Sequence, residues 1–117
     1  MNLVRTTYFV GADLTDPLVS PRYYPRLAEF PPTLIMTGGL DTLRQEMNEL
    51  AADMAAKGVR VTHKEFAGVD HGFTHAKPVE VAREAIGVIG EHLCIAHAGW
   101  RGRKGNRSGQ AFENRCK

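Results

Sequence analysis

Two short loops in this sequence carry the side chains best suited to chemistry. Gly38-Gly39-Leu40-Asp41 offers a carboxylate, and Asp70-His71-Gly72-Phe73 offers an imidazole about thirty residues later. A carboxylate that accepts a hydrogen bond from one ring nitrogen of a histidine fixes its tautomer and stabilises its protonated form. The other nitrogen is then left to take up and return a proton. Asp41 and His71 therefore make a candidate acid–base half of a hydrolytic triad. The third member, a nucleophilic hydroxyl on a strand-to-helix turn, has no candidate here. The serines are Ser20 and Ser108, and neither lies in a Gly-x-Ser-x-Gly elbow.

The same residues also have plainer structural roles. Asp41 is also a good N-cap for a following helix, as is the capping-box pair Thr42 and Gln45, and capping is compatible with catalysis. His63 falls inside a strand pattern and reads as a surface or half-buried strand residue. His75 stands four residues after His71, but Gly72 and Pro78 make the stretch a loop and no third ligand has suitable spacing, so no metal site is expected. Asp70 reads as a solvated loop acid. Gly38-Gly39 lacks the Lys-Ser/Thr of a phosphate loop. Met47 and Met54 are simplest as helix core. No cofactor is implied.

These loops need elements to hold them. Thr33 to Thr37 is a continuous apolar run, as expected for a parallel strand covered on both faces. Leu43, Met47, Leu50, Ala51 and Met54 line one face of an amphipathic helix, which Lys57-Gly58 would end. Val59 to Phe66 reads as a second strand. After a loop over 69–77, Pro78 suits the first turn of another helix, with Val79, Ala82, Ile86, Ile89 and Leu93 as its apolar face. Strand, helix, strand, helix argues for an α/β sheet with right-handed crossovers. If the strands are neighbours, both loops leave the same carboxyl rim, where ligands of open α/β sheets bind. Residues 10–32, rich in Pro, Asp and Gly, form a connection with turns at Asp16-Pro17 and Ser20-Pro21. A short helix is expected over 2–9.

At 117 residues, 43% hydrophobic and 24% charged, the chain has the size and composition of one small globular domain. Its net charge of +2 is uneven: six basic residues and one acid lie between Gly99 and Lys117. From about residue 97 the periodicity stops, and a disordered, solvated basic tail is expected rather than a nucleic-acid site. Cys94 and Cys116 show no metal-ligand spacing and no disulfide framework is read from them, which makes a reducing, cytoplasmic compartment the default. No apolar run approaches a membrane span of about 18 residues.

With these residues in view, a resemblance becomes specific. Pro31-Pro32-Thr33-Leu34-Ile35-Met36-Thr37-Gly38-Gly39-Leu40-Asp41 resembles the segment carrying the triad acid in α/β-hydrolase esterases of the hormone-sensitive-lipase-like group. Asp16-Pro17 with Ser20-Pro21 resembles the Asp-Pro…Ser-Pro stretch before it, and Asp70-His71-Gly72-Phe73 resembles the family's histidine segment. The likeness covers roughly residues 8–93. It implies the C-terminal part of an α/β-hydrolase fold: residues 1–32 as a connecting or cap-like segment, 33–96 as late parallel strands with crossover helices, and 97–117 as the tail. It also implies a carboxylic ester hydrolase of the esterase or lipase type, with Asp41 and His71 catalytic and a small-molecule ester as substrate. The family's His-Gly-Gly oxyanion motif and nucleophile elbow are not in the sequence. Two alternatives therefore stand: an inactive remnant or interaction module of the same fold, and a peptidase or dienelactone-type hydrolase. A pair of parallel strands with unpaired edges is also expected to self-associate or recruit a partner chain.

Overall fold

The structure, a computed structural model, describes Thr7 and residues 9–104. The expected helix over 2–9 and the end of the basic tail fall largely outside these residues. The described chain divides into two compact units, one ending at His71 and the other beginning at Gly72.

The first unit is built on two strands, β1 (Thr33–Gly38) and β2 (Val61–Phe66), joined by the helix α1 (Arg44–Ala56). The strands are hydrogen-bonded neighbours and run parallel, in register from Thr33 opposite Val61 to Gly38 opposite Phe66. A parallel pair needs a crossover, and α1 supplies it. The helix packs on both strands and buries Ala51 and Met54 with Ile35 of β1. The face read from the spacing of Met47, Leu50, Ala51 and Met54 is thus the one that meets the sheet.

Both ends of α1 follow from local chemistry. At its C-terminus Gly58 has φ +86°. The amide of Gly58 donates to Ala55 O and that of Val59 to Met54 O, at 3.0 and 3.1 Å. This is the Schellman arrangement, which satisfies carbonyls that the helix leaves open. It also turns Val59 into the core beside Met54, so β2 begins two residues later than the apolar pattern suggested. At the N-terminus the expected Thr42–Gln45 box does not set the cap. Gln45 bonds Glu49 one turn on, and the side chain of Asp41 accepts from Leu43 N instead.

The connection before β1 contributes more than length. The expected turns form: Val19 N donates to Asp16 O, and a short 3-10 turn follows Ser20 over Pro21–Tyr23. A second 3-10 turn, Leu27–Glu29, places Leu27 in the core at 1% exposure, with Tyr24 packed beside it. Arg22 bridges Glu49 and Asp53 of α1. The hydrogen bond it donates to Asp53 and the two negative charges outweigh desolvation and raise the pKa of its guanidinium above the ordinary value. The expectation that β1 is covered on both faces is met only in part, with Leu34 and Met36 half-buried. Ile35, Thr37 and Gly38 are buried, whereas Thr62, His63 and Glu65 of β2 are exposed.

The second unit holds a 3-10 turn, Phe73–His75, packed on α2 (Val79–Lys104). Phe73, Ala82 and Ala85 are buried. Of the expected apolar face, Val79, Ile86 and Leu93 are exposed; among the described residues of this unit, the 3-10 turn is the element that packs on the helix. Helix α2 also runs past residue 97, where irregular chain was expected. No proline interrupts it, and Ala, Arg and Lys carry helical propensity without apolar periodicity. Cys94 lies within α2; Cys116 lies outside the described residues. No helix among the described residues is long and apolar enough to cross a membrane.

Candidate active site

The rim at the carboxyl ends of β1 and β2 is stitched together by its own backbone. Beyond the last register pair, Gly39 N donates to Phe66 O at 2.8 Å and Leu40 N to Val69 O at 2.9 Å. The loop after β1 therefore stays beside the loop after β2 instead of diverging from it. This approach requires glycine at position 38. A Cβ there would lie 2.6 Å from Val69 O and 3.0 Å from Asp70 O, both backbone atoms that cannot swing aside. Gly39 is nearly as confined, with its virtual Cβ 3.2 Å from Ala67 Cα.

Two side chains meet where this zipper ends. His71 Nδ1 lies 2.9 Å from Asp41 Oδ2, a good length for a charge-assisted hydrogen bond. Asp41 Oδ1, the other oxygen, accepts from Leu43 N at 2.8 Å. One carboxylate thus closes the turn into α1 and grips the imidazole. The bond to His71 and the closing of the turn into α1 are made at once by the two oxygens of Asp41.

The two partners differ in exposure: the Asp41 side chain is 10% exposed and that of His71 73%. Burial pushes the Asp41 carboxyl up, but the bonds from Leu43 N–H and His71, with the positive charge of a protonated ring, outweigh it and hold Asp41 below its ordinary value. A half-buried, ionised acid behind an accessible imidazole has the polarity that acid–base chemistry at Nε2 needs. With Nδ1–H donated to Asp41, Nε2 is the nitrogen left to accept a proton.

The remaining candidates lie elsewhere. His63 is an exposed residue of β2 whose Nε2 stands 3.3 Å from Thr37 Oγ1. His75 is in the second unit, with Nδ1 3.2 Å from Thr74 Oγ1. Gly72, which follows His71, takes a left-handed φ of +77°. Asp70 is exposed and accepts from the amide of His71 at 2.7 Å. Ser20 lines a cavity of about 450 Å³ with Leu14, Val19, Leu43 and Met47, and neither Asp41 nor His71 contributes to its wall. One rim contact went unread in the sequence: the guanidinium of Arg44, three residues after Asp41, donates to Gly39 O at 2.7 Å.

Comparison with known proteins agrees with this architecture. Residues 1–75, more than half of the chain and including both Asp41 and His71, match a family described as alpha/beta hydrolase fold. No curated protein matches the chain. Among solved structures, the chain is similar to a serine-to-alanine mutant of LAE6, an alpha/beta hydrolase enzyme from the metagenome of Lake Arreo, Spain. The identity is 33% and the TM-score 0.51, over 55% of this chain and 20% of the other. The matched region thus spans about a fifth of that hydrolase.

Proposed function

We propose, for a chain that belongs to the alpha/beta hydrolase fold family, that Asp41 and His71 are the acid and the base of a Ser–Asp–His triad hydrolysing carboxylic esters. The observation that carries this reading is the 2.9 Å contact between His71 Nδ1 and Asp41 Oδ2 at the carboxyl rim of two adjacent parallel strands. In this mechanism His71 Nε2 takes the proton of a serine hydroxyl as the oxygen attacks the ester carbonyl. It returns that proton to the departing alkoxide, and repeats both transfers with water to release the acid. Asp41 stays ionised throughout, orienting the ring and stabilising imidazolium. The serine and the oxyanion donors, usually a large share of the catalysis, belong to segments of the fold that these 117 residues do not contain as motifs. Ester rather than amide as substrate follows the likeness of the Pro-Pro-Thr-Leu and His-Gly-Phe segments to the esterases.

The pairing is tested by the imidazole nitrogen spectrum of His71, recorded at a pH where the ring is neutral. In the unmodified chain Nδ1 should carry the proton and Nε2 should be bare. In Asp41→Ala the Nε2–H form, favoured by an unheld ring in water, should dominate. The same tautomer mixture in both proteins would overturn the assignment of Asp41 as the partner of His71.

A further inference from the structure

We infer that Arg44 is a positioning residue for this pair, holding the turn that carries Asp41 against the strand that leads to His71. The inference rests on the reading of Asp41 and His71 as an acid–base pair and adds to it a residue that touches neither side chain of the pair.

The turn Gly38-Gly39-Leu40-Asp41 has two consecutive glycines. Glycine is needed there for the close backbone approach, but it also leaves the turn with the largest conformational freedom the backbone allows. Something must restrict that freedom if Asp41 is to be held within a fraction of an ångström of one position. The amides of Gly39 and Leu40 tie one side of the turn to the loop after β2. Arg44 ties the other side, and does so twice. Its amide donates to Asp41 O at 3.1 Å and its Nη1 donates to Gly39 O at 2.7 Å. The same Nη1 stands 3.5 Å from Glu65 Oε1, and Glu65 is the β2 residue paired with Thr37. One guanidinium therefore spans the glycine turn of the acid and the end of the strand that runs into the histidine loop.

The ion pair alone would be a weak argument, since both side chains are over two-fifths exposed and such pairs contribute little. The bond to Gly39 O is the stronger part. A charged donor on a carbonyl makes a stronger bond than a neutral one, and it acts on the residue whose rotation would carry Asp41 away from His71. Arginine suits the place because its fork can serve a carbonyl and a carboxylate at once, which a lysine ammonium on a flexible stem does less well. A merely structural role would predict that losing Arg44 loosens the fold in general. A positioning role predicts a change at the His71 ring while the fold persists.

The experiment reads the His71 tautomer ratio in Arg44→Met, which keeps an apolar stem and removes every donor of the side chain, and in Arg44→Lys. Backbone amide spectra of the same samples report the fold. With the fold intact, Arg44→Met should lower the ratio of the Nδ1–H to the Nε2–H form by about fivefold or more, the scale of one ordinary hydrogen bond, towards the value in Asp41→Ala. Arg44→Lys should recover part of it. An unchanged ratio in folded Arg44→Met overturns the positioning role, and so does a fall accompanied by general loss of amide dispersion in both variants. If Arg44→Met does not fold, Arg44→Lys decides alone: a ratio between wild type and Asp41→Ala supports the role, and the wild-type ratio overturns it. Should wild-type His71 itself share the tautomer mixture of Asp41→Ala, the pair fails and the role of Arg44 falls with it. An intact wild-type pair with no response to Arg44 sinks only the inference made here.

Discussion

Asp41 is the residue on which most of the site turns, because its two oxygens serve two structures. Its carboxyl is held below its ordinary value, so the folded state binds the proton less readily than the unfolded chain, whose aspartate titrates near about 3.9. Linkage then fixes the sign: the stability Asp41 contributes is fully present above about pH 4 and is lost as pH falls through the depressed folded value. Urea unfolding between about pH 6 and 3 should show this acid limb, and Asp41→Asn should flatten it, since the amide keeps an oxygen for Leu43 N but has no charge to lose. An equally steep limb in that variant would remove Asp41 from the account of acid stability. Gly38 sets the other residue-scale constraint. Its virtual Cβ lies 2.6 Å from Val69 O, so Gly38→Ala must push the two loops apart. It should cost about 1–3 kcal/mol, the usual range for overpacking, and should disturb the His71 ring as well. A variant of wild-type stability would mean that the rim is looser than the zipper of backbone bonds implies.

Elements, more than single residues, divide what the sequence made legible from what it did not. Strand β1 was readable because a covered parallel strand is apolar without alternation, and α1 because Met47, Leu50, Ala51 and Met54 recur on one face. The end of α1 was readable too, since Lys57-Gly58 marks a left-handed cap. There Gly58→Ala meets nothing within 4 Å, so its cost is conformational only, about 1–2 kcal/mol for an L-residue at φ +86°. Thermal melting of that variant should fall accordingly, and an unchanged melting temperature would contradict the Schellman assignment. The pairing of Asp41 with His71 was likewise legible, because two loops leaving adjacent parallel strands must share a rim. The hold of Arg44 on Gly39 O was not, since a side chain reaching back five residues to a carbonyl has no periodic signature. The body of α2 was legible from its apolar face, but its extension past residue 97 was not, since that part lacks an apolar stripe and propensity alone is a weak signal. The burial of Leu27 was hidden in a segment whose prolines and glycines read only as a connection.

At the scale of the whole molecule, the proposed acid and base meet on one rim, with no nucleophile motif in the same sequence. An Asp–His pair without a nucleophile acts at best as a general base on water, a contribution of about 10²–10⁴, short of the roughly 10⁶-fold or more typical of enzymes. Purified alone, the chain should therefore not hydrolyse a short-chain aryl ester faster than free histidine does, and turnover abolished by both His71→Ala and Ser20→Ala would show that Ser20 reaches the ring after all. The most direct measurement joins this chain to the nucleophile-bearing part of an alpha/beta hydrolase whose own acid and histidine segment has been removed, and follows aryl-ester hydrolysis by the folded chimera. The account predicts turnover that His71→Ala lowers by about 10⁴-fold, the scale expected for a triad member. A folded chimera with no turnover, or with turnover indifferent to His71→Ala, would contradict it.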